Sequence, residues 1–178
     1  QQRILEVVRG TVTPGTDQIA PEGDAPIAAE FILDASGSMA GLSGQRSKMD
    51  IALSAFEAAA DVLGESDVST ALRAYGFDAS VEHSAEASCP NTVLLTEFDR
   101  GNSGAMIAAS QQLSPYGYTP IAGSLEAAGA DLAAIDARER LIILISDGEE
   151  TCNGDPVAVA SRLRSEGINL SAYVVGFD

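Results

Sequence analysis

At 178 residues, 46% apolar and 20% charged, the chain has the length for one domain with a substantial core and is too apolar for wholesale disorder. Its formal charge of −16, from 10 basic and 26 acidic residues, argues against nucleic acid as a partner and leaves no polybasic patch for anionic lipid. No apolar run reaches the roughly 18 residues of a membrane span; the best candidate, Leu141–Ile145, is strand-sized.

Residues 1–27 read as an extension and linker. Arg3–Val8 suits a short edge strand, while Thr13-Pro14-Gly15 and Pro21–Pro26 carry turn chemistry. The chain opens Gln1-Gln2-Arg3 with neither an initiator methionine nor a signal-peptide pattern, as a mature or excised segment would. Residues 28–178 form the expected domain. The apolar run Ala28–Leu33, interrupted only at Glu30, predicts a buried strand that breaks into Asp34-Ala35-Ser36-Gly37-Ser38. A Gly/Ser loop, Gly41–Ser47, leads to a helix over Lys48–Leu63. Met49, Leu53, Phe56, Ala60 and Leu63 recur there at helical spacing, and Gly64 stands where a C-terminal cap belongs. Lys48, the only lysine, is expected as an exposed first-turn residue.

Asp67–Phe77 reads as a second strand, followed by a polar loop with His83, Cys89 and Pro90 and by a short strand at Thr92–Thr96. His83 is expected on the surface. Gly104–Leu113 suits a helix. Tyr116-Gly117-Tyr118-Thr119-Pro120 then supplies a turn, an N-cap threonine and a proline at the first helical position. The helix it opens runs to Ile135, with Ile121, Leu125, Ala128, Leu132 and Ile135 on one face. Leu141–Ile145 is continuously apolar, so both faces of that strand should be covered; it ends in Ser146-Asp147-Gly148-Glu149-Glu150. Pro156–Glu166 reads as a helix closed by Gly167, and Leu170–Val175 as the last strand. Alternating strands and helices predict an α/β fold around a mostly parallel sheet. The chain stops at Asp178, just past a strand, as a segment of a longer parent would.

In an open parallel sheet, ligands bind beyond the carboxyl ends of the strands, where strand order reverses. If the strands ending before Asp34 and Asp147 are neighbours there, Asp34, Ser36, Ser38 and Asp147 share one rim, with Thr119 a candidate for it. Two carboxylates and three hydroxyls are hard oxygen donors suited to Mg2+, Mn2+ or Ca2+. An ion so held stays positive or nearly neutral and attracts a further carboxylate. Glu149 and Glu150 suit solvated loop charges or secondary ligands. Two cysteines and one histidine make a poor structural zinc site, and either a disulfide or free thiols fits Cys89 and Cys152. Catalytic signatures are missing: the sequence has no phosphate-binding Gly-x-x-x-x-Gly-Lys loop and no Gly-x-Ser-x-Gly elbow. Only Glu149 is placed to serve a metal hydrolase as base. The chain is therefore expected not to be an enzyme.

The Asp34-Ala35-Ser36-Gly37-Ser38 turn, Thr119 in Gly117-Tyr118-Thr119-Pro120-Ile121 and Asp147 in Ile145-Ser146-Asp147-Gly148 together resemble the von Willebrand factor type A domains. The match is to their metal-ion-dependent adhesion site. The phrases around Thr119 and from Ser146 to Cys152 are similar to a bacterial branch often named after calcium-activated chloride channel proteins, a label that need not mean channel activity. The resemblance covers Ala28–Asp178. It implies a doubly wound, Rossmann-like, mostly parallel sheet with helices on both faces, here ending before the family's final helix and strand. It also implies a divalent cation, Mg2+ foremost with Mn2+ or Ca2+ as alternatives. Ser36, Ser38 and Thr119 would bind it directly, and one or both of Asp34 and Asp147 through water.

The implied function is capture of a Glu or Asp of a protein partner, outside a bacterial cell. The alternatives are a structural or regulatory domain of a larger envelope assembly and, behind it, a metal hydrolase. The branch often carries a further cysteine where Val157 stands, which would leave Cys89 and Cys152 as each other's intrachain partners, on loops at the ligand-binding end. In the chain-entropy model such a bridge stabilises by about 4 kcal/mol.

Overall fold

The computed structural model describes residues 26–175; the edge strand considered at Arg3–Val8 lies outside them. In chain order the elements are β1 (Ile27–Asp34), a 3-10 turn (Gly37–Ala40), a small hairpin of β2 (Leu42–Ser43) and β3 (Arg46–Ser47), and α1 (Lys48–Gly64). Then come β4 (Val68–Tyr75), α2 (Ala85–Ser88), β5 (Thr92–Arg100), α3 (Ser103–Ser110) and α4 (Ile121–Ala133). The chain finishes with β6 (Glu139–Ser146), α5 (Pro156–Ser165) and β7 (Ile168–Val174).

Five strands form one sheet in the order β5-β4-β1-β6-β7, with only β5 antiparallel. Period-two alternation along β1 sends Phe31 and Leu33 to one face and Ala28 and Ile32 to the other. The first pair packs with Met49, Phe56 and Met106 of α1 and α3, Phe31 and Phe56 meeting edge-on at 5.1 Å. The second packs with Leu125, Leu132 and Leu163 of α4 and α5. Ile142 and Leu144 of β6 join that second layer while Ile145 joins the first, so β6 is covered on both faces as its unbroken apolar run predicts. The fold is the expected doubly wound α/β sandwich.

Local differences have local causes. β4 stops at Tyr75, two residues earlier than expected, because Gly76 turns the chain at φ +74°. Gly64 is not a cap: it is the last residue of α1, and a Cβ there would lie 2.8 Å from the Ser103 side chain. Its lack of a side chain lets α3 approach. The short strand expected at Thr92–Thr96 extends to Arg100 as an antiparallel edge. Thr119 is not the N-cap of α4. That helix begins at Ile121 with Pro120 in the cap position and no capping side chain from it.

An unexpected polar network lies under α4. Glu30, the interruption in β1, is fully buried and accepts a 2.8 Å hydrogen bond from Arg73 Nε. Arg73 also pairs with Asp131 of α4.

Candidate functional site

β1 is the central strand; the chain proceeds from it to β4 on one side and returns later to β6 on the other. The strand order thus reverses between β1 and β6, whose carboxyl ends carry Asp34 and Ser146 side by side. Asp34 is buried. Its Oδ1 accepts the Ser36 N–H at 2.8 Å and its Oδ2 accepts the Ser146 hydroxyl at 2.6 Å. Burial pushes the Asp34 carboxyl above its ordinary pKa, and the hydrogen bonds from Ser146 and Ser36 pull the other way. Burial, and then the Asp34 carboxylate it faces, raises the Tyr75 phenol well above its usual range. That hydroxyl lacks a hydrogen-bond partner of good geometry.

The first turn is held by two others. Gly37 N–H donates to Gly117 O at 2.9 Å, Gly117 N–H to Gly76 O at 2.6 Å, and Tyr116 N–H is shared between Ala35 O and Gly76 O. The backbones approach so closely that a Cβ at Gly76 would sit 2.7 Å from Ser36 N. This meshing brings Ser36 and Ser38 together, their hydroxyls 3.1 Å apart. Ser36 is buried and Ser38 exposed.

Thr119 enters from the loop before α4 and is buried. Its N–H donates to Thr151 Oγ1 at 2.8 Å and its carbonyl accepts the Thr151 N–H at 3.1 Å, which ties it to the loop after β6. Glu150 caps α4: its Oε2 accepts the Ala122 N–H at 2.9 Å and its Oε1 the Cys152 N–H at 2.7 Å. Expected as a solvated charge or a secondary ligand, Glu150 has both oxygens committed to backbone. Glu149 is exposed and lines, with Ser38, Thr119, Tyr118 and His83, a groove of about 170 Å3. His83 is on the surface as expected, its Nε2 3.0 Å from Tyr116 O and its ring against Tyr116 and Tyr118.

Asp147 follows β6. Its side chain is 4% exposed, with Oδ2 3.0 Å from Lys48 Nζ and Oδ1 buried without any partner. Lys48 is in the first turn of α1 as predicted, but it reaches into the site. Cys89 and Cys152 form a disulfide, Cα–Cα 5.5 Å, that pins the β6–α5 loop to the end of α2.

Among the described residues no three His, Cys, Asp or Glu side chains cluster as a metal site. The donors here are two carboxylates and three hydroxyls, a set that suits a hard cation. The orphaned Asp147 oxygen and the Ser36 and Ser38 hydroxyls, 3.1 Å from each other, are compatible with one. Sequence reasoning missed Ser146, Gly76, the capping role of Glu150 and the role of Lys48. The first is visible only as the neighbour of Asp147, and the last only as the chain's single lysine.

Two relatives share this chain. The uncharacterized protein YwmD of Bacillus subtilis (strain 168) is 31% identical over 170 residues, 94% of this chain and 75% of that protein. YwmC of the same organism is 31% identical over 159 residues, 88% of this chain and 69% of its own. The chain belongs to the YwmD and YwmC family. No family model matches it.

Solved structures extend the likeness of this family member to the fold. An aerotolerance-related membrane protein from Bacteroides fragilis is similar at TM-score 0.64 and 18% identity, covering 84% of this chain and 67% of that one. The manganese-loaded TRAP protein of Plasmodium vivax follows at 0.63 and 18%, covering 85% and 58%. The SpRpn10 VWA domain matches at 0.60 and 13%, covering 83% and 74%. The chain has the von Willebrand factor A fold.

Proposed function

We propose that this domain is a metal-dependent protein-binding module. Asp34, Ser36, Ser38, Thr119 and Asp147 hold one divalent cation, Mg2+ first and Mn2+ or Ca2+ as alternatives, and the loaded site captures a Glu or Asp carboxylate of a protein partner. The observation that carries this reading is the Oδ1 of Asp147, buried and unpartnered just beyond the carboxyl end of β6. An unsatisfied buried carboxylate oxygen is costly unless something positive completes it. When bound, the cation supplies a hard positive centre with a position for an outside oxygen.

The chain's own residues prepare that position. Ser146 and the Ser36 N–H keep Asp34 oriented. Glu150 takes over the capping of α4, so that job does not fall to the Thr119 hydroxyl. A similar fold is known in manganese-loaded form, which supports the choice of a divalent ion. The disulfide and the likeness to a membrane protein support a location outside the bacterial cytoplasm. Among the described residues no helix is long and apolar enough to cross a membrane. The net charge of −16 sets nucleic acid aside. We assign no catalytic role: Glu149, the one base considered, is an exposed loop residue.

Calorimetry with Mg2+, Mn2+ and Ca2+ tests the reading on wild type, Asp34→Ala and Thr119→Ala. Loss of the binding heat in both variants is expected; equal heats in all three proteins would overturn it. A second reading is a structural or regulatory domain in which the ion organises the loops. It is favoured by the backbone bonds that knit the loops at Ala35–Gly37, Gly76 and Tyr116–Gly117. Metal removal separates the two. The first predicts lost partner binding with the fold intact, the second lost thermal stability without any partner.

A further inference from the structure

Lys48 is the only lysine in the chain, and it stands at the candidate site. It opens α1, its N–H bonded to Gly41 O at 2.8 Å. The side chain passes Gly41 closely enough that a Cβ there would lie 3.8 Å from its Cε. Nothing local asks for a cation here. Ser47 and Asp50 already complete a capping box, and a positive charge in a helix's first turn opposes its dipole. The tertiary structure supplies the reason. Nζ is 3.0 Å from Asp147 Oδ2, and the side chain keeps 23% of its surface in solvent while Asp147 keeps 4%. The ammonium therefore borders both the buried carboxylate and the medium from which a ligand would come.

Charge decides what that ammonium does. The two aspartates cancel a divalent cation, so the five oxygen ligands alone leave a neutral centre on a strongly acidic chain. A carboxylate approaching such a surface is opposed by the field of the whole protein. Lys48 leaves the loaded centre with one positive charge.

We propose that Lys48 determines the specificity of the site for an anionic ligand, its ammonium being the second anchor of the captured carboxylate beside the cation. The proposal rests on the metal-site reading above. It carries an opposite effect on the ion: a positive group bonded to Asp147 competes with the cation for that carboxylate. Removing it should tighten metal binding while weakening carboxylate capture. A merely structural role would not move the two in opposite directions.

The test uses the full chain as wild type, Lys48→Gln and Lys48→Arg. Mn2+ binding is read by calorimetry, and acetate binding to the Mn2+-loaded protein by loss of water-proton relaxation as acetate displaces bound water. We expect Lys48→Gln to bind Mn2+ about 3-fold more tightly and acetate about 5-fold more weakly, with Lys48→Arg restoring acetate binding. Unchanged acetate binding in Lys48→Gln would overturn the proposal and leave the metal site standing, as would parallel loss of Mn2+ and acetate. A wild-type protein that binds none of Mn2+, Mg2+ and Ca2+ would overturn both.

Discussion

The hydroxyl of Ser146 donates a 2.6 Å hydrogen bond to Asp34 Oδ2, joining the last residues of β6 and β1 through side chains where the backbone ladder ends. The Ser146 Oγ itself accepts the Gly148 N–H at 2.9 Å, so one hydroxyl orients a buried carboxylate and shapes the loop that carries Asp147. Ser146→Ala strips a donor from Asp34 and leaves the Gly148 N–H unpaired. The Asp34 carboxylate is buried, where losing a partner costs about 1–3 kcal/mol, and urea denaturation should show that loss. Unchanged stability would mean the loop finds other partners.

Gly76 holds the first turn in place by having no side chain. At φ +74°, with Ser36 N 2.7 Å from where a Cβ would be, Gly76→Ala meets backbone that cannot swing away. Gly44 has a similar φ of +63° with nothing within 4 Å of its added Cβ. Gly44→Ala should cost about 1 kcal/mol from conformation alone. Gly76→Ala should cost clearly more and weaken Mn2+ binding, because Ser36 must move. Equal effects of the two substitutions on denaturation and calorimetry would contradict this.

The disulfide closes a loop of 63 residues in sequence separation. The chain-entropy model assigns such a bridge about 4 kcal/mol. Cys89→Ser/Cys152→Ser should lose most of that in urea denaturation, and a mass spectrum of the native protein without reductant should show no free thiol. Two free thiols would remove the argument for an oxidising compartment.

Glu30 makes stability depend on pH. Burial raises its carboxyl from 4.5 to about 7, against the pull of the Arg73 hydrogen bond and charge; its Oε2 has no partner. Between those values the folded protein keeps a proton that the unfolded chain has released. Its stabilising contribution is therefore complete below pH 4.5 and is lost as pH rises through about 7. The loss amounts to at most about 3 kcal/mol. Denaturation curves across that window should decline less steeply in Glu30→Gln than in wild type, the remaining slope coming from Asp34, whose carboxyl burial also raises. A parallel slope in both would place the titration elsewhere.

The strand–turn–helix rhythm was legible because its signals are local. The unbroken apolar run Leu141–Ile145 and the helical spacing of Met49, Phe56 and Ala60 each reflect the faces their elements bury. The acidic and hydroxyl residues of the candidate site were legible for the same reason: Asp34, Ser36 and Ser38 stand together, and Asp147 ends an obvious strand. Errors fell where a distant segment intervenes. Thr119 has the local credentials of an N-cap, yet Glu150, 28 residues beyond Ala122, caps α4. Gly64 has those of a helix stop, yet α3 is what requires it.

By itself, then, the chain determined its layers, its order of elements and the residue types of the candidate site at Asp34, Ser36, Ser38, Thr119 and Asp147. Only the tertiary structure decided that β1 and β6 lie side by side, so that Ser146 reaches Asp34. It also decided that Lys48 meets Asp147 across 99 positions, and that Glu30 finds its charge partner in Arg73 rather than facing solvent. The physical reason is the same in each case. Apolar periodicity encodes which face of an element is buried, while polar side chains in a buried rim take whichever partner the fold delivers, and desolvation makes that choice binding.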